Sequence, residues 1–92
     1  GLKVSELSFG SWLTFGSALD VGRARECLEF ALERGVNLLD TAEVYGAGES
    51  ERVLGGAITS FRREDLVVST KLYWGGDGPN DTGLSRKHLI EG

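Results

Sequence analysis

Ninety-two residues, 40% hydrophobic and 26% charged, are enough for one small domain or a piece of a larger one, with ordinary globular composition. A formal net charge of −4 argues against nucleic acid, which needs clustered lysine and arginine. No apolar run approaches the ~20 residues of a membrane span, and one cysteine with one histidine excludes an intramolecular disulfide and argues against a metal site.

The single Cys27 and the absence of a visible signal peptide place the expected compartment in the cytoplasm. Glu6 to Gly10 alternates polar and apolar residues, which predicts a short strand centred on Leu7–Phe9. Ser11 to Leu19 reads as a loop carrying Trp12 and Phe15. Asp20 is a good N-cap for a helix reaching about Arg34. Its apolar stripe is Val21, Ala24, Cys27, Leu28, Ala31 and Leu32, and Gly35 is the expected left-handed stop.

Val36–Leu39 reads as the second strand. A helix from about Glu49 to Ser60 should turn Val53, Leu54, Ala57 and Ile58 inward. Gly55 and Gly56 inside it each cost about 1 kcal/mol relative to alanine, which suggests that another backbone passes close by. Leu66–Thr70 is the third strand, Leu72–Gly83 a long glycine-rich loop, and Ser85 the cap of a helix beginning Arg86-Lys-His-Leu-Ile. Strands alternating with helices imply a parallel sheet with right-handed crossovers.

Strand parity adds chemistry to this outline. Val36, Leu38 and Asp40 share one face, as do Val67, Ser69 and Lys71, so Asp40 and Lys71 project together at the C-terminal strand ends. Ligands of α/β folds bind at that edge. Tyr45 follows Asp40 by five residues, just before the turn Gly46-Ala47-Gly48. A phenol is a weak acid at neutral pH, and a cation beside it favours its ionised form. An acid, a phenol and a lysine at successive strand ends therefore suit proton transfer to a carbonyl. Taken alone, the same residues fit a surface Asp–Lys pair and a turn tyrosine at least as well. Gly46-Ala-Gly48 departs from a dinucleotide loop at Glu51, where GxGxxG needs glycine, and is expected to shape a turn.

Five stretches resemble the aldo-keto reductase family, in particular its branch of potassium-channel beta subunits and related bacterial reductases. They are Leu7-Ser-Phe-Gly-Ser-Trp-Leu-Thr-Phe-Gly16, Gly35-Val-Asn-Leu-Leu-Asp-Thr-Ala-Glu-Val-Tyr-Gly46, Ser50-Glu-Arg-Val-Leu-Gly55, Val67-Val-Ser-Thr-Lys71 and Gly83-Leu-Ser-Arg-Lys-His-Leu-Ile-Glu-Gly92. The resemblance implies the N-terminal three βα units of a (β/α)8 TIM-type barrel, with parallel strands and a nicotinamide cofactor, usually NADPH, across its C-terminal mouth. It implies catalytic roles for Asp40, Tyr45 and Lys71 in reducing aldehyde or ketone carbonyls, with tyrosine as proton donor. It places Ser11, Trp12 and Asp40 beside the cofactor. The family's fourth catalytic position, a histidine, belongs to a fourth strand beyond Gly92. His88 instead matches a helix-surface motif and is expected to take no part.

A complete barrel of this type needs about 250 residues and eight strands. Residues 1–92 are therefore expected to form a single partial domain, incomplete and inactive as an isolated chain. Two unpaired strand edges predict self-association. The contrasting expectation is a non-catalytic fragment, or a cofactor-binding subunit of the channel-associated type, that folds as an oligomer.

Overall fold

A computed structural model describes residues 1–92. Three parallel strands, β1 (Ser8–Gly10), β2 (Leu38–Asp40) and β3 (Val67–Ser69), lie in the order β1-β2-β3. Helix α1 (Val21–Glu33) follows β1, α2 (Glu49–Ile58) follows β2, and α3 (Arg86–Glu91) follows β3. Asp20 caps α1 by accepting a hydrogen bond from the Arg23 amide at 2.9 Å. Gly35, at φ +86°, closes it: the Gly35 amide donates to Leu32 and the Val36 amide to Ala31.

The strands are shorter than their apolar runs. The β2 ladder starts at Leu38, because the Val36 amide completes the α1 terminus and the Asn37 amide donates to Ser5 Oγ at 3.0 Å. It also runs one residue further than expected and takes in Asp40. Register pairs Phe9 with Leu39 and Leu39 with Val68. Leu39 is fully buried, and Phe9 and Val68 pack on the same core. This row faces the helices, so Gly10, Asp40 and Ser69 form a register row on the opposite face.

The core joins Leu39 to Phe15, Ala24, Leu28, Val53, Leu54, Ala57 and Leu66. Helices α1 and α2 pack against each other, so consecutive strands are neighbours and both crossovers place their helices together. That is the winding of a barrel wall; a doubly wound sheet reverses its strand order and covers both faces. The Gly55-Gly56 expectation needs correction. No backbone passes α2 there: Gly55 faces open space, and a Cβ at Gly56 would meet the Val21 methyl carbons at 3.1 and 3.3 Å. Gly56 therefore lets a branched side chain of α1 seat against α2. On the outer side of β1, the exposed Leu7 and Phe30 line an apolar groove with Phe9, Cys27 and Val36. No helix is long and apolar enough to cross a membrane.

Candidate functional site

The site is built at the C-terminal ends of β2 and β3. Asp40 ends β2, its register partner Ser69 ends β3, and Lys71 lies two residues beyond on the same face. Backbone pairing continues past the strands, with the Thr41 amide donating to Ser69 O at 2.9 Å and Glu43 to Lys71 O at 3.1 Å. This holds Lys71 beside the segment that carries Tyr45.

Lys71 Nζ donates to Asp40 Oδ2 at 2.7 Å, to the Thr41 carbonyl at 2.9 Å and to Tyr45 Oη at 3.2 Å. An ammonium has three protons and no acceptor, so three acceptors match the charged form. A neutral amine would turn a lone pair towards one of them. The Lys71 ammonium accordingly holds its proton more tightly than an ordinary lysine, chiefly through Asp40, with Tyr45 adding to the effect against partial desolvation. The hydrogen bond from Lys71 holds the Asp40 carboxyl below the usual aspartate range, and a second from Ser69 Oγ at 2.7 Å lowers it further.

Tyr45 enters this cluster through a tight reversal. Gly46, Ala47 and Gly48 all have positive φ, at 60°, 54° and 88°, and the Ser50 amide donates back to Tyr45 O. The sequence Gly46-Ala-Gly48 is thus a turn that aims the phenol and starts α2. Trp12 stacks on the Tyr45 ring with centroids 5.8 Å apart and planes 23° from parallel. Trp12 is itself 64% exposed, which leaves its rim open to a ligand at the sheet mouth.

Ser11 sits differently. It is buried, and its hydroxyl donates to the Asp40 carbonyl at 3.1 Å. Ser50 Oγ donates to Ser11 Oγ at 2.7 Å, and Thr41 Oγ1 lies 3.4 Å from Ser50 Oγ. These three buried hydroxyls clamp the ends of β1 and β2 to the start of α2. Sequence reasoning missed Ser50, Thr41 and Ser69. The available signal was their position: each is a short polar residue at a strand end or helix start, where a hydroxyl can reach polar groups of the neighbouring element.

His88 also departs from expectation. It belongs to α3 but is 6% exposed rather than on the helix surface. The loop over it is closed by the Gly83 amide donating to Tyr73 O at 2.8 Å, and a Cβ at Gly75 would sit 3.1 Å from His88 Cε1. The loop thus folds back onto the helix and covers the imidazole.

Comparison with known proteins decides the family. The profile of the Aldo/keto reductase family matches residues 6–91. The chain belongs to this family. A probable voltage-gated potassium channel subunit beta from Arabidopsis thaliana is 56% identical over the whole chain, which spans 29% of that relative's length. An aldo-keto reductase from Bacillus halodurans, solved in its holo form, superposes on 98% of the chain with TM-score 0.73 and 33% identity, and 30% of that protein is covered. A Klebsiella pneumoniae aldo-keto reductase in complex with NADPH matches 76% of this chain and 24% of its own, with TM-score 0.67 and 30% identity. The three βα units of this aldo-keto reductase chain are therefore a portion of the family's TIM-type barrel.

Proposed function

We propose that residues 1–92 form one partial domain, the proton-donating part of an NADPH-dependent reductase that converts aldehydes or ketones to alcohols. The observation that carries this reading is the shared proton geometry of Lys71 and Tyr45. Tyr45 Oη accepts from the ammonium at 3.2 Å, so its own O–H is left to donate outward. As the phenol gives up that proton, the cation beside it steadies the phenolate. Asp40 keeps the cation charged and in place.

The residues present suit a nicotinamide group. Gly10, the register neighbour of Asp40 on β1, leaves open space where a side chain would stand, and the exposed Trp12 borders the same mouth. When bound, NADPH supplies the hydride. Trp12 and Asp40 are the residues here that would border it. Ser11, with its hydroxyl engaged inside, would shape that border through the Asp40 backbone.

The test is a chimaera in which these residues replace the matching stretch of the Arabidopsis relative. NADPH-dependent reduction of a simple aldehyde is expected. Tyr45→Phe should lower turnover by about 10²–10⁴-fold, the usual contribution of a positioned general acid, while NADPH titration stays unchanged. Undiminished turnover in that variant would overturn the assignment.

A second reading is favoured by the channel-subunit relatives: a cofactor-binding, non-catalytic subunit. Tight NADPH binding without aldehyde turnover in the same chimaera would select it. Taken by itself, the chain leaves the edges of β1 and β3 unpaired and the apolar groove of Leu7, Phe9 and Phe30 uncovered, and self-association of the isolated chain is the expected result. Sedimentation of the chain at micromolar concentration should show a species larger than the 9.9 kDa monomer. Localisation in the cytoplasm belongs to the same proposal.

A further inference from the structure

The Asp40 carboxylate has two oxygens and two side-chain donors, one for each. Ser69 Oγ donates to Oδ1 at 2.7 Å and Lys71 Nζ to Oδ2 at 2.7 Å. An aspartate's terminal torsion is broad and weakly restrained. With lysine as its only partner, the group is free to turn one oxygen or the other to the ammonium, or to turn towards water. Ser69 removes that freedom.

The strand register explains why this serine does so. Ser69 is Asp40's partner across the parallel ladder, and Lys71 lies two residues further along the same face. One strand thus delivers both donors to one carboxylate. On the other flank the register partner is Gly10, where a Cβ would meet nothing within 4 Å. In that row Ser69 is the one cross-strand side chain that reaches Asp40.

We infer that Ser69 is a positioning residue, whose hydroxyl sets the carboxylate of Asp40 so that Lys71 stands within reach of the Tyr45 phenol oxygen. It touches neither substrate nor cofactor, and it exchanges no proton in the reaction. Its hydroxyl donates to the ionised carboxylate, so it also favours the charged counter-ion that Lys71 needs. The catalytic part of this inference rests on the function proposed above; the contact itself does not.

Two measurements separate the contact from the function. In the chain itself, the Asp40 carboxyl is titrated by carbon-detected NMR in the native protein, Ser69→Ala and Ser69→Thr. The alanine variant should titrate at higher pH than the native chain, and threonine, which keeps the hydroxyl, should restore the native midpoint. An unmoved midpoint in Ser69→Ala overturns the inference. If the alanine variant does not fold, Ser69→Cys takes its place, with similar shape and only a weak donor.

In the chimaera, Ser69→Ala should lower kcat about 10–100-fold, the factor that one hydrogen bond to a charged group is worth. KM for NADPH should stay unchanged, and Ser69→Thr should recover most of the loss. Equal losses in both variants, or a loss confined to KM, overturn the positioning role. A native chimaera without turnover defeats the proposed function, and the carboxyl titration then decides the Ser69 contact by itself.

Discussion

Lys71 Nζ lies 3.2 Å from Tyr45 Oη and 4.9 Å from the centre of the tyrosine ring, so the ammonium stands nearer the phenol oxygen than the ring centre. The lysine comes from the end of β3 and the tyrosine from the turn after β2. Their meeting depends on parallel register between two strands far apart in sequence.

Lys71→Met keeps an unbranched apolar stem and removes all three donors. It should leave Asp40, Thr41 O and Tyr45 Oη without a shared partner. In the chimaera, aldehyde reduction should fall, because the oxygen that turns anionic as the phenol gives up its proton loses the ammonium hydrogen-bonded to it. Steady-state kinetics with parallel NADPH titration checks this; a loss of cofactor affinity without a fall in kcat would contradict it.

The ion pair has a defined pH window. The Asp40 carboxyl is depressed from its ordinary 3.8, so its contribution to stability is present above that value and lost as pH falls through the lower native one. Lys71 is raised from its ordinary 10.5, so its contribution is full below that value and lost as pH rises through the higher native one. The Lys71 side chain is 53% exposed, so the whole contribution is small. The stability difference between the native chain and Asp40→Asn, followed by urea unfolding, should therefore be flat at mid-range pH and shrink at the acid end. A difference that grows on acidification would show the opposite sign of coupling.

Ser50 is fully buried at the centre of the hydroxyl cluster. Ser50→Ala removes the donor to Ser11 and the neighbour of Thr41 Oγ1. Ser11 Oγ keeps its bond to the Asp40 carbonyl, but leaving the buried Thr41 Oγ1 unpaired costs about 1–3 kcal/mol. A lower urea midpoint with an unchanged slope would confirm the loss; an unchanged midpoint would mean that water replaces the bond.

Ala47 is the one non-glycine residue with positive φ, at 54°. An L-residue pays roughly 1–2 kcal/mol in the left-handed region, while glycine adds about 0.4–1 kcal/mol of unfolded-state freedom. Ala47→Gly should therefore stabilise slightly and raise Tm by a few degrees at most. A marked fall in Tm would show that the methyl group makes a contact worth more than the strain.

His88→Gln should loosen the Tyr73–Gly83 loop, since the buried imidazole is the body over which that loop closes. Limited proteolysis within the loop should become faster. Cleavage at the native rate would mean that the Gly83–Tyr73 hydrogen bond alone holds it.

The sequence by itself determined the order of elements, the caps of α1 and the side of the sheet that carries Asp40 and Lys71. These follow from local rules: helical spacing of apolar residues, an aspartate before the first turn, a glycine after the last, and the alternation of strand side chains. The short motif around Tyr45 was legible for the same reason, because a turn between two glycines is a local event.

Tertiary structure alone decided the rest. Ser69 reaches Asp40 because parallel register sets them side by side, and Ser50 reaches Ser11 because α2 starts against the end of β1. Gly56 answers to a side chain of α1, and His88 is covered by a loop that its own helix follows. Each of these depends on residues distant along the chain. A short polar residue, a glycine or a histidine carries no periodicity that says which distant partner it will meet, and only the packing of the elements supplies that partner.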